Sequence, residues 1–133
     1  MLDTKIFTGR CLCGEIRFEL TGEPGRVSVC HCRMCQRLSG APYIPAVEYS
    51  ENQVLWIQQP SIYKSSEQAS RSFCSQCGSS IGYHTKDGKI WISVGTLDKP
   101  ERFKPEFHIF MESKMPWSAY DKELPQYEDA GPI

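Results

Sequence analysis

Three cysteines, Cys30, Cys32 and Cys35, crowd into the stretch VCHCRMCQRLSG (29–40), with His31 between the first two. Thiolates are soft, strong zinc ligands, and zinc takes four ligands in a tetrahedron. Three thiolates hold a zinc and leave one corner open, as in a centre that handles a substrate. A zinc with three thiolates carries net negative charge and is a weaker Lewis acid than one held by histidines. It suits a sulfur ligand, and an incoming thiol would lose its proton there. The histidines are poor candidates for the fourth corner. Strand alternation turns His31 away from Cys30 and Cys32. His84 in GYHTK and His108 in EFHIF read as ordinary strand histidines. A metal-free cluster of redox thiols fits the same three residues.

The other four cysteines form two pairs, Cys11 and Cys13 in CLC, and Cys74 and Cys77 in CSQC. If CLC is extended, its two thiols share a face while Leu12 points away. CSQC followed by Gly78 has the zinc-knuckle form, a tight turn that brings two thiolates to one ion. Together the pairs supply a closed Cys₄ site, which would clamp the start of the chain to its middle and contribute its binding energy to folding. CGSS (77–80) then offers hydrogen bonds to the sulfurs. Other partitions of the seven cysteines between two metals stay compatible with the spacing.

These ligands need short elements to hold them. EIRFEL (15–20) alternates Ile16, Phe18 and Leu20 with Glu15, Arg17 and Glu19, the pattern of a half-buried strand. RVSVCH (26–31) reads as a strand running into the triad. RMCQRLSG (33–40) reads as one or two helical turns stopped by Gly40 and Pro42. Further strands are expected at 41–49, 53–58, 61–66 and 69–74. Those at 79–85 and 89–97 flank the hairpin turn KDG. FHIFMES (107–113) is a last strand, and the tail from Trp117 is expected to wrap the surface. Trp56, Trp91 and Trp117 read as packing residues, and Asp98 as a turn cap. No long 3.6-residue period appears, so the class is all-β, built from short antiparallel strands around a structural zinc.

The chain has 133 residues, seven cysteines, 40% hydrophobic content and a formal net charge of −1. That length fits one domain, 1–133, with the motifs in about 9–117 and a tail at 118–133. The pI near 6.3 argues against a nucleic-acid partner. No apolar run reaches a membrane span. The opening MLDTKIFTGRCLCGE lacks a signal-type apolar stretch, so the expected compartment is the cytoplasm. An odd number of clustered thiols in that compartment favours metal over disulfides.

GRCLCGEIRFEL, CHCRMCQRLSG, SRSFCSQCGSSI, VGTLDKP and a late PW, in that order from about Gly9 to Trp117, resemble the glutathione-dependent formaldehyde-activating enzyme family, which includes centromere protein V. The resemblance implies a β-tent fold and two zincs per chain. The structural zinc would lie on Cys11, Cys13, Cys74 and Cys77, and the catalytic zinc on Cys30, Cys32 and Cys35. It implies a carbon–sulfur lyase joining glutathione and formaldehyde into S-hydroxymethylglutathione, or acting on a related thiol adduct. Glutathione carries two carboxylates, for which Arg33, Arg37, Lys64 and Arg71 are candidate partners, although any one of them by itself reads sooner as a solvated surface charge. A non-catalytic zinc-stabilised binding module and a thiol redox or metal-handling protein are the alternatives.

Overall fold

The computed structural model describes residues 5–119 and 122–133. Its strands are β1 (Ile6–Arg10), β2 (Arg17–Thr21), β3 (Val27–Cys30), β4 (Ile44–Ser50), β5 (Val54–Trp56), β6 (Ser61–Lys64), β7 (Ala69–Phe73), β8 (Ser80–Thr85), β9 (Lys89–Ser93) and β10 (Phe107–Ile109). The helix α1 covers Arg33–Ser39, and short 3₁₀ turns fill several connections. The mostly β class expected from the alternating pattern is what forms.

The strands make two sheets, one of order β1-β2-β5 and one of order β10-β3-β4-β9-β8-β7-β6. Pairing is antiparallel except where β10 runs parallel to β3, with His108 opposite Val29. Parallel pairing needs a long crossover, and here most of the chain intervenes between the two strands. Ile16, Phe18 and Leu20, the apolar half of the first alternating stretch, are all buried. They share one hydrophobic cluster with Val47, Tyr49, Ile90 and Ile92 from the larger sheet. The small sheet therefore covers one face of the large sheet and leaves the other face free to line a site. Gly9 has to be glycine here, since a Cβ would lie 2.5 Å from the Phe18 ring.

The tail is tied down. His108 donates to the Pro125 carbonyl (2.8 Å), Tyr127 to that of His108 (3.0 Å) and Met111 to that of Tyr127 (2.8 Å). This segment occupies the hydrogen-bonding edge that β10 would otherwise expose. Trp56 packs against Phe18 with ring centroids 5.3 Å apart. Trp117 does not pack as expected: it stands 73% exposed. Asp98 accepts from the Thr8 hydroxyl and its amide donates to the Thr8 carbonyl (2.9 Å), fixing the loop after β9 to β1.

Candidate metal centre

Two groups of thiols form, Cys11 with Cys13, Cys74 and Cys77, and Cys30 with Cys32 and Cys35, the sulfurs of each group lying within 4.8 Å of one another. All seven cysteines are free. Tetrahedral zinc–sulfur bonds of about 2.3 Å place sulfurs roughly 3.8 Å apart. Cys11 and Cys13 are 3.6 Å apart and Cys13 and Cys74 are 3.8 Å apart, so these residues fit the ion.

The four-cysteine group is built by turns. The CLC segment is not extended as expected. Cys11 donates to the Ile16 carbonyl (2.9 Å) and Gly14 to that of Cys11 (3.2 Å), so a turn brings the two thiols together. Leu12 points outward and is 80% exposed. On the other side Gly78 donates to the Cys74 carbonyl (2.8 Å) at a φ of 79°, a left-handed conformation that favours glycine. The Ile16 amide lies 3.3 Å from the Cys11 sulfur. The Ser79 hydroxyl lies 3.2 Å from that of Cys77 and accepts from the Leu12 amide at 2.9 Å. That hydroxyl, followed by the amides of Cys13 and Ser79, pulls the Cys77 thiol down to about 5. A metal ligand must be a thiolate, and these donors favour that form.

The triad sits where β3 turns into α1. Cys30 ends the strand, Cys32 caps the helix and Cys35 lies in its first turn. The Cys35 amide lies 3.3 Å from the Cys32 sulfur. Gly40, at a φ of 70°, closes the helix as the sequence predicts. The Cys32 thiol is pulled down to about 2, first by the thiols of Cys30 and Cys35 and also by the amides of Cys35 and Met34, against the cost of burial. The Cys30 thiol is pushed up, first by Cys32 and then by Cys35. Three thiols in this geometry share negative charge that a cation must offset before all can ionise. The donor set therefore fits a soft divalent ion, and both groups can hold a metal.

Among the described residues no histidine, aspartate or glutamate joins either group. His31 faces away from the triad, as alternation predicts. It is buried, with its Nε2 3.0 Å from the Nδ1 of His108. Burial, then the neighbouring His108 and Lys114, lower His31 to about 4, so it stays neutral. The Nδ1 of His84 lies 3.2 Å from Glu51, far from this chemistry.

A cavity of about 460 Å³ opens onto Cys30, Cys32 and Cys35. Of the four basic candidates, Arg33 and Arg71 line it, whereas the exposed Arg37 and Lys64 do not. Arg71 is no solvated surface charge. It is 7% exposed, its guanidinium lies over the Tyr83 ring at 4.5 Å, and its Nη1 is 3.9 Å from the Cys35 sulfur. Sequence reasoning gave Gln36 no role, yet its buried amide donates to the carbonyls of His31 (2.7 Å) and Ser113 (2.9 Å) and binds the helix to the segment after β10. The signal for Arg71 was its place in a strand beside CSQC. For Gln36 there was none, because the bridge it makes depends on Ser113, 77 residues away.

The family model for the glutathione-dependent formaldehyde-activating enzyme matches residues 6–113. A Schizosaccharomyces pombe protein named as an uncharacterized lyase is 30% identical over 62% of this chain, which spans 61% of that relative's length. The crystal structure of a Rhodobacter sphaeroides protein superposes with a TM-score of 0.56 at 21% identity, covering 68% of this chain and 87% of that one, and supports the fold.

Proposed function

Because the chain belongs to the glutathione-dependent formaldehyde-activating enzyme family, we propose that it is a zinc-dependent carbon–sulfur lyase of that type, working at Cys30, Cys32 and Cys35. The reaction joins a small thiol to an aldehyde. Glutathione and formaldehyde, giving S-hydroxymethylglutathione, are the leading pair. A carbon–sulfur bond forms, the carbonyl π bond breaks, and the thiol proton ends on the carbonyl oxygen; the lyase direction is the reverse.

The observation that carries this reading is the difference between the two thiol groups. Cys11, Cys13, Cys74 and Cys77 provide four sulfurs and would hold a structural zinc. Cys30, Cys32 and Cys35 provide three, in the lining of a cavity large enough for a ligand. Zinc on the triad would supply an open Lewis-acid corner that favours the thiolate form of an incoming thiol.

The chain's own groups do the rest. The amide of Cys35 and the Arg71 guanidinium offset the negative charge that gathers as thiolates collect. The cavity holds thiol and aldehyde together, so their addition no longer depends on a chance encounter. Gln36, tied to the His31 and Ser113 carbonyls, fixes the helix that presents Cys35. Seven reduced thiols suit the cytoplasm.

Glutathione and formaldehyde exchange spontaneously with their adduct. NMR exchange spectroscopy on that mixture should show the protein accelerating the step, with the acceleration lost in Cys32→Ser. No acceleration at any accessible protein concentration would refute formaldehyde–glutathione chemistry here.

A further inference from the structure

The segment that lies along β10 does more than cover an edge. Gln126 is bridged in parallel to His108. The Tyr127 ring meets the buried Phe107 ring edge-on, with centroids 5.8 Å apart. These contacts anchor the segment to the core. Beyond the anchor the chain turns. The Asp129 carboxylate accepts from the Gly131 amide (2.8 Å), and the Ile133 amide donates to the Ala130 carbonyl (3.3 Å). Gly131 has a φ of 61°, and a Cβ there would lie 2.8 Å from the Tyr127 ring, so this turn needs glycine.

The turn delivers Ala130 and Ile133 to the lining of the cavity that holds Cys30, Cys32 and Cys35. The same segment shapes the wall next to them. The Phe110 amide donates to the Asp129 carbonyl (2.8 Å). Phe110 is the one non-glycine residue with a positive φ, 56°, among those described. Bulky side chains seldom adopt that conformation without outside support. Here the Asp129 carbonyl and the Ser113 amide, which donates to the Phe110 carbonyl (3.1 Å), supply it. Ile109, one residue earlier, stands opposite Cys30 in the pairing of β10 with β3. Ile109, Phe110, Ala130 and Ile133 therefore form an apolar wall beside the triad. Ile133 is about half exposed, which leaves apolar area that a bound molecule would remove from water. Ala130 and Ile133 lie beyond residues 6–113, the stretch that the family model matches, so they join the site by place alone.

We propose that the segment 125–133 is part of the substrate site, and that Ile133 is a specificity-determining residue resting against the bound thiol. The inference rests on the thiol-adduct chemistry proposed above. In a pair such as glutathione and formaldehyde the thiol is by far the larger partner, so the wall beyond the triad meets the thiol and not the one-carbon aldehyde. The segment makes and breaks no bond. It contributes contact area to the thiol whose sulfur the triad metal would receive. A carboxylate at position 133 would stand near the two carboxylates of glutathione and oppose binding, whereas an ammonium there would not.

Titration of glutathione into the cobalt-loaded protein, followed by the thiolate-to-cobalt charge-transfer absorption, tests this without relying on turnover. The dissociation constant should rise about fivefold in Ile133→Ala, from the lost apolar contact. It should rise at least about tenfold in Ile133→Asp, while Ile133→Lys stays within about threefold of Ile133→Ala. Both cobalt ions and the wild-type thermal midpoint should be kept, which separates a lost contact from a fault in the fold. Ala130→Asp probes the same wall from a second position should Ile133→Asp lose metal. Wild-type affinity or tighter binding in Ile133→Asp and Ala130→Asp would overturn this proposal and leave the thiol-adduct reading standing. A wild-type spectrum that glutathione does not change would overturn the thiol-adduct reading, and this proposal with it.

Discussion

At the scale of single residues, Arg71 carries more weight than its place in the sequence suggests. A cation 7% exposed, beside a sulfur and over an aromatic ring, is held by electrostatics that a neutral side chain cannot replace. Arg71→Met should lower kcat/KM for thiol–aldehyde exchange about tenfold or more, with the far-ultraviolet circular dichroism unchanged; Arg71→Lys should recover part of it. Unaltered kinetics in Arg71→Met would remove the residue from the site. Tyr49 makes a second test, far from the thiols. Its buried hydroxyl has no hydrogen-bond partner among the described residues. Burial, then the charge of Glu23, pushes it up to about 12 from an ordinary 10. The folded protein therefore keeps this proton where the unfolded chain loses it. Stability from this group is intact below pH 10 and declines as the pH rises from 10 to 12. Tyr49→Phe should raise stability by about 1 kcal/mol at neutral pH and flatten that alkaline decline, read from urea unfolding at several pH values.

Among the elements, those with short local rules were legible in the sequence. The alternation of EIRFEL, the KDG hairpin and the glycine stop of α1 each depend on neighbours a few residues away, and each appears where the pattern placed it. What the sequence concealed depends on distant partners. The parallel pairing of β10 with β3, the His31–His108 contact and the Gln36 bridge all join residues more than seventy apart. CLC departs from an extended form for another reason. Alternation and a tight turn both bring positions i and i+2 to one ion, and Gly14, at a φ of 84°, selects the turn. The opposite turn has its own test. Gly78 has open space around the position of a Cβ, so Gly78→Ala adds backbone cost without a clash. It should destabilise the protein by about 1 kcal/mol, measured by thermal unfolding of the metal-loaded form; a change near zero would show that the knuckle tolerates another conformation.

For the molecule as a whole, the four-cysteine group joins the turn after β1 of the small sheet to the β7–β8 turn of the large one, at the margin of the shared hydrophobic cluster. Metal bound there should stabilise the packing of the two sheets, since the unfolded chain scarcely holds the ion. Removal by a strong chelator should lower the Tm by more than ten degrees, while loss of the triad alone, as in Cys32→Ser, should cost much less. The same frame leaves the opposite face of the large sheet open and sets Cys30, Cys32 and Cys35 at its edge. A closed group for stability and an open one for a substrate sulfur is the central claim, and cobalt(II) substitution tests it most directly. The protein should bind two cobalt ions per chain. Glutathione should then strengthen the thiolate-to-cobalt charge-transfer absorption by the equivalent of one added sulfur on one of the two ions, an increase lost in Cys32→Ser. A single cobalt per chain, or two whose spectra do not respond to saturating glutathione, would contradict it.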